Sequence, residues 1–264
     1  MWPLLLLACR MSGPAPAPAP VDPATRWTNG PAGIVLEVAT DRYRRPEGPG
    51  EVVVVGSVHV ADPAFYGASV ATLRSAGEVF YEGLIDDVGT DGAVAETLAS
   101  QLGLAAQGDV APDPGWHHAD LRQSELRRRM ADAGVSEAAI VDLLGDPEAP
   151  PSPPDPMPTG PTGPALAKLA LIKGLAKPPN DDGDYQRWLI AERNAHAVAL
   201  LPAPGDDAAL WFGADHLPDL GRRLQEAGYE PPVRTWVPAM VAGYSELQLG
   251  PAQAEMLMTM GKGD

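Results

Sequence analysis

One stretch in the first third of this 264-residue chain decides the fold. Residues 51–82 read EVVVVGSVHVADPAFYGASVATLRSAGEVFYE. The apolar run Glu51–Val55 predicts a strand, Asp62-Pro63 begins a helical pattern with one apolar face, and Glu78–Tyr81 predicts a second strand. The order strand, helix, strand predicts a parallel βαβ unit with a right-handed crossover.

The short pattern Gly-x-x-His follows two of the predicted strands. It occurs as GSVH in Gly56–His59, after the first strand, and as GADH in Gly213–His216, after the apolar run Ala208–Phe212. Glycine allows a sharp turn as the backbone leaves a strand, and ligands of open α/β sheets bind beyond the carboxyl ends of the strands. We therefore expect His59 and His216 to meet at one site.

Glu82 directly follows the second strand of the βαβ unit. If the two strands of that unit are neighbours, the Glu82 side chain lies close to His59. The other interpretation of Glu82 is a surface glutamate before a turn.

The remaining strand and helix patterns extend the same architecture. Gly33–Thr40 and Glu51–Val55 predict a hairpin, and a helix at Leu220–Ala227 with a strand at Val233–Val237 completes a second βαβ-like unit after Ala208–Phe212. The sequence thus predicts an α/β fold with a central mixed β-sheet flanked by helices, in which each βαβ-like unit delivers one Gly-x-x-His motif.

Helical patterns fill the middle of the chain. They cover Val94–Ala99, Ser124–Ala133, Ser136–Leu144 with Ser136 as the N-cap, Ala165–Ala176 and Asp184–Leu201. In the last of these, Trp188, Ala191, Ala195 and Val198 are predicted to form the buried face. The polar triplet Glu192–Asn194 is ordinarily solvent-exposed, but Arg193 is close enough to the apolar stripe that we predict it to point inward.

Charge and cysteine content exclude several functions. Asp and Glu outnumber Lys and Arg by 35 to 19, for a formal charge of −16, so a phosphate backbone would be repelled and nucleic acid is not an expected partner. Cys9 is the single cysteine, which excludes an intramolecular disulfide and a cysteine-clustered metal site. The adjacent His117 and His118 have diverging side chains and are not predicted as metal ligands.

The N-terminal residues predict a lipid anchor. An apolar run ends in Leu6–Cys9 (LLAC), which looks like the lipobox of bacterial lipoproteins. We predict a signal peptide at 1–9, lipid on Cys9 and a Pro/Ala-rich tether at 10–30, which places the protein in the cell envelope, outside the cytoplasm. The domain is predicted at 31–250 with a disordered Pro-rich insertion at 146–164, followed by a tail at 251–264.

The motifs together resemble one family. The segment Val52–Glu82, the Glu192–Asn194 triplet and the stretch Gly213–Leu220 are similar in order and spacing to the TraB/GumN proteins, relatives of the Tiki hydrolases. Gly115–Leu121 resembles the Trp-x-x-Ala-Asp-Leu segment of many members. The resemblance spans residues 33–240 without the Pro-rich insertion. It implies a fold of the erythromycin-esterase/ChaN type and a site containing His59, Glu82, Arg193 and His216.

The chemistry of these residue types favours hydrolysis. Two imidazoles and a carboxylate, from His59, His216 and Glu82, make a set for a divalent ion such as Mn, Co or Zn with an open position for water. The leading prediction is a metal-dependent hydrolase, a peptidase by its resemblance to Tiki proteins, acting on a peptide or small-molecule substrate. Arg193 either binds a substrate carboxylate or oxyanion, or orients Glu82.

Two other functions stay open at this point. In a metal-independent hydrolase, of the kind that the esterase relatives suggest, Glu82 would be the base and the histidines would bind or polarise the substrate. In a lipoprotein of the ChaN type, the same cleft would bind haem or another ligand.

Overall fold

The computed structural model describes residues 22–46, 48–83, 91–146, 160–177 and 183–250, together with 252, 253 and 256. The predictions for the signal peptide, Cys9, most of the Pro-rich insertion and most of the tail lie outside the described residues. Within the described part, no helix is both long enough and apolar enough to cross a membrane.

Nine strands and seven α-helices make up the described chain. The strands are β1 (Thr25–Asn29), β2 (Gly33–Arg44), β3 (Glu51–Ser57), β4 (Val60–Ala61), β5 (Glu78–Tyr81), β6 (Ala105–Ala106), β7 (His117–His118), β8 (Ala208–Gly213) and β9 (Val233–Gly243). The helices are α1 (Pro63–Arg74), α2 (Asp91–Leu102), α3 (Gln123–Asp132), α4 (Glu137–Leu144), α5 (Gly163–Leu175), α6 (Glu192–Ala199) and α7 (Leu217–Glu226). A π-helical segment, Tyr185–Ala191, runs directly into α6.

Seven strands form one mixed sheet. Its order is β1-β2-β3-β8-β5-β7, and β9 also pairs with β2. Strands β3, β8, β5 and β7 are parallel, whereas β2 is antiparallel to β1, β3 and β9. Most β2 residues that pair with β1 or β3 also pair with β9. Strands β1 and β3 therefore share one edge of β2, and β9 lies along the other edge. The predicted α/β class, with a central mixed sheet flanked by helices, is confirmed.

One prediction about strand neighbours is wrong. Strand β8 lies between β3 and β5, so the strands of the first βαβ unit are parallel but not adjacent. Strand β9 pairs with β2 and not beside β8, so the second unit also spans other strands. The physical reason is burial: β8 is apolar on both faces, and such a strand is most stable in the middle of a sheet that is covered on both sides.

The predicted hairpin and helices are confirmed, with small differences at the ends. Ser136 caps α4 by accepting a hydrogen bond from the backbone N–H of Ala139 at 3.3 Å. The tether prediction is wrong for Thr25–Asn29, because these residues pair with β2 and the preceding Ala24 is buried. The insertion was predicted to extend to residue 164, but α5 already begins at Gly163, with a proline in its first turn.

The interior has a main core, a small cluster of Val60, Ala99 and Ala106, and a satellite core at the π-helical segment. The main core is built on the valines of β3 and on the central residues of β8, which are almost completely buried. The satellite core joins α3 and α4 to Trp188 of the π-helical segment through Leu126, Met130 and Ile140. This satellite core positions the end of α4 beside the carboxyl ends of the parallel strands.

Candidate functional site

A cleft of about 420 Å³ lies at the carboxyl ends of β3, β5 and β8. His59, Glu82, Arg193 and His216, the four residues predicted for the site, all line it. Both Gly-x-x-His segments reach it because β3 and β8 are neighbours in register, with Ser57 opposite Gly213. The two histidines therefore leave adjacent strands, and Glu82 follows the strand on the other side of β8.

The Glu82 carboxylate is the centre of the polar contacts. Its Oε1 accepts a hydrogen bond from Nη2 of Arg193 at 2.6 Å and lies 3.3 Å from Nε2 of His216. Its Oε2 accepts a short hydrogen bond from the backbone N–H of Gly213. A Cβ atom at position 213 would lie 3.2 Å from Oε2, so glycine is what lets the carboxylate approach this backbone so closely.

These contacts keep Glu82 ionised. Burial by itself raises the pKa of this carboxyl group, because the charged form loses its water. The charge and ring N–H of His216, the charge of Arg193 and the backbone N–H of Gly213 together more than offset that effect. The pKa of Glu82 consequently lies well below its ordinary value, which makes it a poor proton acceptor near neutral pH.

Arg193 is buried and faces the site, as predicted. It is 5% exposed. Its Nε and Nη2 donate to the two carboxylate oxygens of Asp120, at 2.9 and 2.6 Å, and Nη2 also donates to Glu82. Its Nη1 donates to the backbone oxygen of Leu189 at 3.0 Å. The forked edge of the guanidinium is thus occupied by protein carboxylates and is not free to hold a substrate carboxylate.

His216 is fixed from its other side by Asn194. The ring is 3% exposed, and its Nδ1 lies 2.6 Å from Oδ1 of Asn194. The Asn194 amide nitrogen donates to the backbone oxygen of His216 and to Asp219, at 3.1 and 2.9 Å. The imidazole is therefore held between the Asn194 amide and the Glu82 carboxylate.

The π-helical segment explains why two residues of the polar triplet, Arg193 and Asn194, face inward. Trp188 and Arg193 are five residues apart, a spacing that an α-helix would place on different faces, at about 100° per residue. The i→i+5 hydrogen bonds of a π-helix bring such residues closer to one side. The predicted buried face is therefore wrong at Ala195, which is exposed, and the ordinary solvent-exposed interpretation is wrong for Asn194, which is fully buried.

His59 is the least constrained of the four residues. Its side chain is exposed at the cleft, while its backbone oxygen accepts a hydrogen bond from Gln107. Within the described ranges, no three His, Cys, Asp or Glu side chains come together in an arrangement that could already hold a metal ion. Glu82 and His216 are paired, and His59 belongs to the same cleft without completing a three-ligand set.

The adjacent histidines form β7 and do not line the cleft. His118 donates from Nε2 to the backbone oxygen of Gly83 at 2.6 Å, and His117 stacks on Phe80. Both side chains thus support the sheet edge next to β5.

Sequence reasoning assigned no role to Asp120 and Asn194. Both are buried, and each holds one of the predicted site residues. The available signal was their position inside Gly115–Leu121 and Glu192–Asn194, two of the segments that carry the family resemblance. Nothing in the local pattern distinguishes these side chains from ordinary surface polar residues.

The rest of the cleft wall is mainly apolar. It is lined by Val58, Leu143, Leu144, Leu175, Leu189 and Ala214, with Thr25, Ser57, Gln107 and Gln123 among the polar residues. Tyr185 and Asp215 also line the cleft, and the hydroxyl of Tyr185 donates to Asp215 at 3.4 Å. Burial, with a smaller contribution from the Asp215 charge, raises the pKa of Tyr185, so its hydroxyl stays protonated.

Comparison of the chain with family models, with curated proteins and with solved structures gives no match.

Proposed function

We propose that this chain is a divalent-metal-dependent hydrolase of the TraB/GumN type, which acts on peptides or small amide and ester substrates. The observation that carries the proposal is the pair of Glu82 and His216 at one end of an apolar cleft. Both side chains are held by buried partners, Arg193 and Asn194, and both reach a space large enough for a substrate. Positioned polar groups in a mainly apolar cleft are typical of a binding or active site.

The spacing of the two side chains fits a shared metal ion. Nε2 of His216 lies 3.3 Å from Oε1 of Glu82. Nitrogen and oxygen ligands bind zinc at about 2 Å, so two ligands on one tetrahedral ion lie roughly 3 Å apart. His59, exposed in the same cleft, would be the third ligand after rotation of its side chain. Three protein ligands would leave a position for water or substrate, as catalytic zinc sites require.

The ionised state of Glu82 favours this function over a metal-independent hydrolase. A general base works best when its pKa is near the working pH, and the pKa of Glu82 is held well below that range. His216 has no ring nitrogen free for a substrate, because one faces Asn194 and the other faces Glu82. As metal ligands, an anionic carboxylate and a fixed imidazole are both suitable.

Arg193 acts through Glu82 in this proposal. Four of its five N–H donors are used by Asp120, Glu82 and the backbone of Leu189, so we assign it as a positioning residue and not as a substrate ligand. This assignment takes the second of the two roles that the sequence left open for Arg193.

The apolar wall indicates the kind of substrate. The cleft that contains the charged residues is also lined by leucines from α4, α5 and the π-helical segment, namely Leu143, Leu144, Leu175 and Leu189. We expect an apolar side chain or acyl group to occupy this wall while the scissile carbonyl lies next to Glu82 and His216. A divalent ion bound there supplies Lewis acidity towards that carbonyl.

The proposal is tested with purified protein and metal analysis. We expect the protein to bind Mn, Co or Zn and to hydrolyse members of a broad peptide and ester panel, and we expect a chelator to abolish hydrolysis. His216→Ala and His59→Ala should lose both metal and activity. The matched control is His117→Ala, since His117 is an exposed histidine outside the cleft.

Other outcomes identify the alternatives. Hydrolysis that persists after chelation would indicate the metal-independent enzyme. A Soret band after reconstitution with haem, without hydrolysis, would indicate a ligand-binding protein of the ChaN type. The proposal would be refuted if the protein bound no metal and hydrolysed no substrate.

We also propose that the chain is a lipoprotein of the cell envelope, anchored through lipid on Cys9. The support is the LLAC sequence at Leu6–Cys9 and the proline-rich residues that follow it. The first described residues, Asp22 and Pro23, are exposed, so the chain enters the domain at its surface. A tether could therefore extend from this point without disturbing the fold.

A further inference from the structure

One carboxylate of the cleft has no positively charged partner. Asp215 is exposed and lines the cleft, and its side chain accepts one long hydrogen bond, from the hydroxyl of Tyr185 at 3.4 Å. Throughout the part of the chain that the structure describes, no Lys, Arg or His forms an ion pair with it. Glu82 and Asp120, by contrast, share the guanidinium of Arg193. Asp215 therefore carries a negative charge that the protein itself does not balance.

The turn that follows β8 separates Asp215 from the pair of Glu82 and His216. Residues Ala214–His216 form one 3₁₀ turn, in which successive side chains point roughly 120° apart. His216 is consequently buried beside Glu82, whereas Asp215 is exposed. Among the described residues, Asp215 does not belong to any group of three side chains that could hold a metal ion. Its role is therefore separate from that of the metal ligands in the proposed function.

The charges around the cleft favour a cation over an anion. Arg193 is the only Lys or Arg that lines this space in the described ranges, and it already contacts Asp120 and Glu82. A carboxylate has about four lone-pair positions, so the single bond from Tyr185 leaves Asp215 able to accept others. The whole chain has a formal charge of −16, and a field of this sign attracts cationic ligands and repels anionic ones.

We infer that Asp215 is a specificity-determining residue that binds a positively charged group of the substrate, an ammonium or a guanidinium. The inference deepens the proposed function and rests on it: the preferred amides and esters carry a positive charge together with an apolar group. The apolar group would pack against the leucines of the cleft wall, and the cation would lie at Asp215. Hydrogen bonds between a cation and a carboxylate are among the strong ones, which makes charge the property that is selected.

Tyr185 is the positioning residue for this carboxylate. Its hydroxyl stays protonated, because burial and the Asp215 charge raise its pKa, so it donates to Asp215. Tyr185 begins the π-helical segment and Asp215 lies in the turn after β8, so their contact joins two elements that line the cleft. This bond restrains an otherwise exposed side chain and keeps its carboxylate at the cleft.

The test uses two probes that differ in charge but hardly in shape. Hexylguanidinium is a permanent cation, since a guanidinium is not deprotonated in proteins, and N-hexylurea is its neutral counterpart with the same apolar chain. Neither probe contains an ester or a peptide bond. Binding of each probe to the full chain is followed through the backbone ¹H–¹⁵N signal of residue 215. We expect hexylguanidinium to bind roughly tenfold more tightly, the low end for a hydrogen bond to a charged group.

Three variants separate the charge of Asp215 from the overall acidity of the protein. Asp215→Asn keeps the size of the side chain and should abolish the preference for hexylguanidinium without changing the affinity for N-hexylurea. The matched control is Asp206→Asn, because Asp206 is also exposed but precedes β8, at the opposite end of that strand from the cleft. This control should keep the preference. Tyr185→Phe should reduce it about threefold, because it removes one long hydrogen bond and keeps the ring.

Several results would overturn the inference. It is wrong if the two probes bind wild type equally, if neither binds, or if Asp215→Asn keeps the preference. Equal losses in Asp215→Asn and Asp206→Asn would show that the overall acidity, and not the cleft, attracts the cation, which also overturns it. An unchanged preference in Tyr185→Phe would contradict the positioning role of Tyr185.

Hydrolysis of matched substrates connects the charge preference to the proposed function. The p-nitroanilides of N-acetyl-arginine and N-acetyl-citrulline share one methylene stem and differ in a guanidinium against a neutral urea group. We expect kcat/KM to be roughly tenfold higher for the arginine substrate in wild type and equal for both in Asp215→Asn. A loss of equal size for both substrates would show that Asp215 takes part in the reaction itself and would overturn the inference. If wild type hydrolyses no substrate at all, the proposed function fails, and the two probes still decide whether Asp215 binds a cation.

Discussion

Replacement of Arg193 by alanine should destabilise the domain far more than replacement of an exposed arginine. Arg193 forms two hydrogen bonds with Asp120, one with Glu82 and one with the backbone of Leu189. The side chains of Asp120 and Glu82 are 0% and 14% exposed, so each carboxylate loses a partner in a largely buried position. Removal of one member of a buried ion pair typically costs about 3–5 kcal/mol.

A loss of that size is large, but it is smaller than the stability of most domains. Domains are typically stable by about 5–15 kcal/mol, so Arg193→Ala should stay folded with a midpoint of thermal unfolding lowered by roughly 6–20 °C. The loss should shrink as the pH falls, because without the Arg193 charge the pKa of Glu82 is higher than in wild type, and protonation of Glu82 then costs the variant less.

Urea unfolding at neutral pH and at pH 4 measures both effects. The control is Arg129→Ala, because Arg129 also bonds two glutamates, Glu125 and Glu192, but its side chain is 35% exposed. Pairs of this kind contribute only about 0–1 kcal/mol. The reasoning is refuted if the free energy of unfolding falls no further in Arg193→Ala than in Arg129→Ala, or if the loss does not depend on pH.

Three further predictions address pH, anchoring and the cleft. The stabilising contribution of ionised Glu82 should be complete above pH 4.5, its ordinary pKa, and should be lost as the pH falls towards the lowered pKa of the folded state. The free energy of unfolding of Glu82→Gln should therefore fall less steeply with acid than that of wild type, and an equal slope would contradict this. Incorporation of labelled palmitate should disappear in Cys9→Ser, while membrane fractionation that does not change in this variant would exclude the lipid anchor. Leu144→Ala should raise KM roughly tenfold for substrates with an apolar group, because it removes apolar contact area in the cleft. A similar rise in KM for a small substrate such as an acetyl ester would show that Leu144 does not line the substrate site.

The local sequence pattern was sufficient to predict most of the longer strands and helices. Alternating and continuous apolar runs located β2, β3, β5 and β8, and helical periodicity with a proline or a cap located α1 and α4. These features depend on near neighbours in the chain, which is why they can be read from residues alone. The two Gly-x-x-His segments were also placed at strand ends by local pattern, but the expected turn at the glycine is wrong, because Gly56 and Gly213 belong to β3 and β8 and the strands end after them.

The sequence by itself therefore determined the longer strands β2, β3, β5 and β8 and most of the helices, and that two histidines and a glutamate follow strand ends. Only the tertiary structure decided that β8 lies between β3 and β5, which makes the Gly-x-x-His strands neighbours in register. It also decided that the π-helical segment turns Arg193 and Asn194 inward, and that Asp120 meets Arg193 from 73 residues away. These outcomes depend on which distant surfaces bury each other, and that free energy is not encoded in any local stretch of the chain.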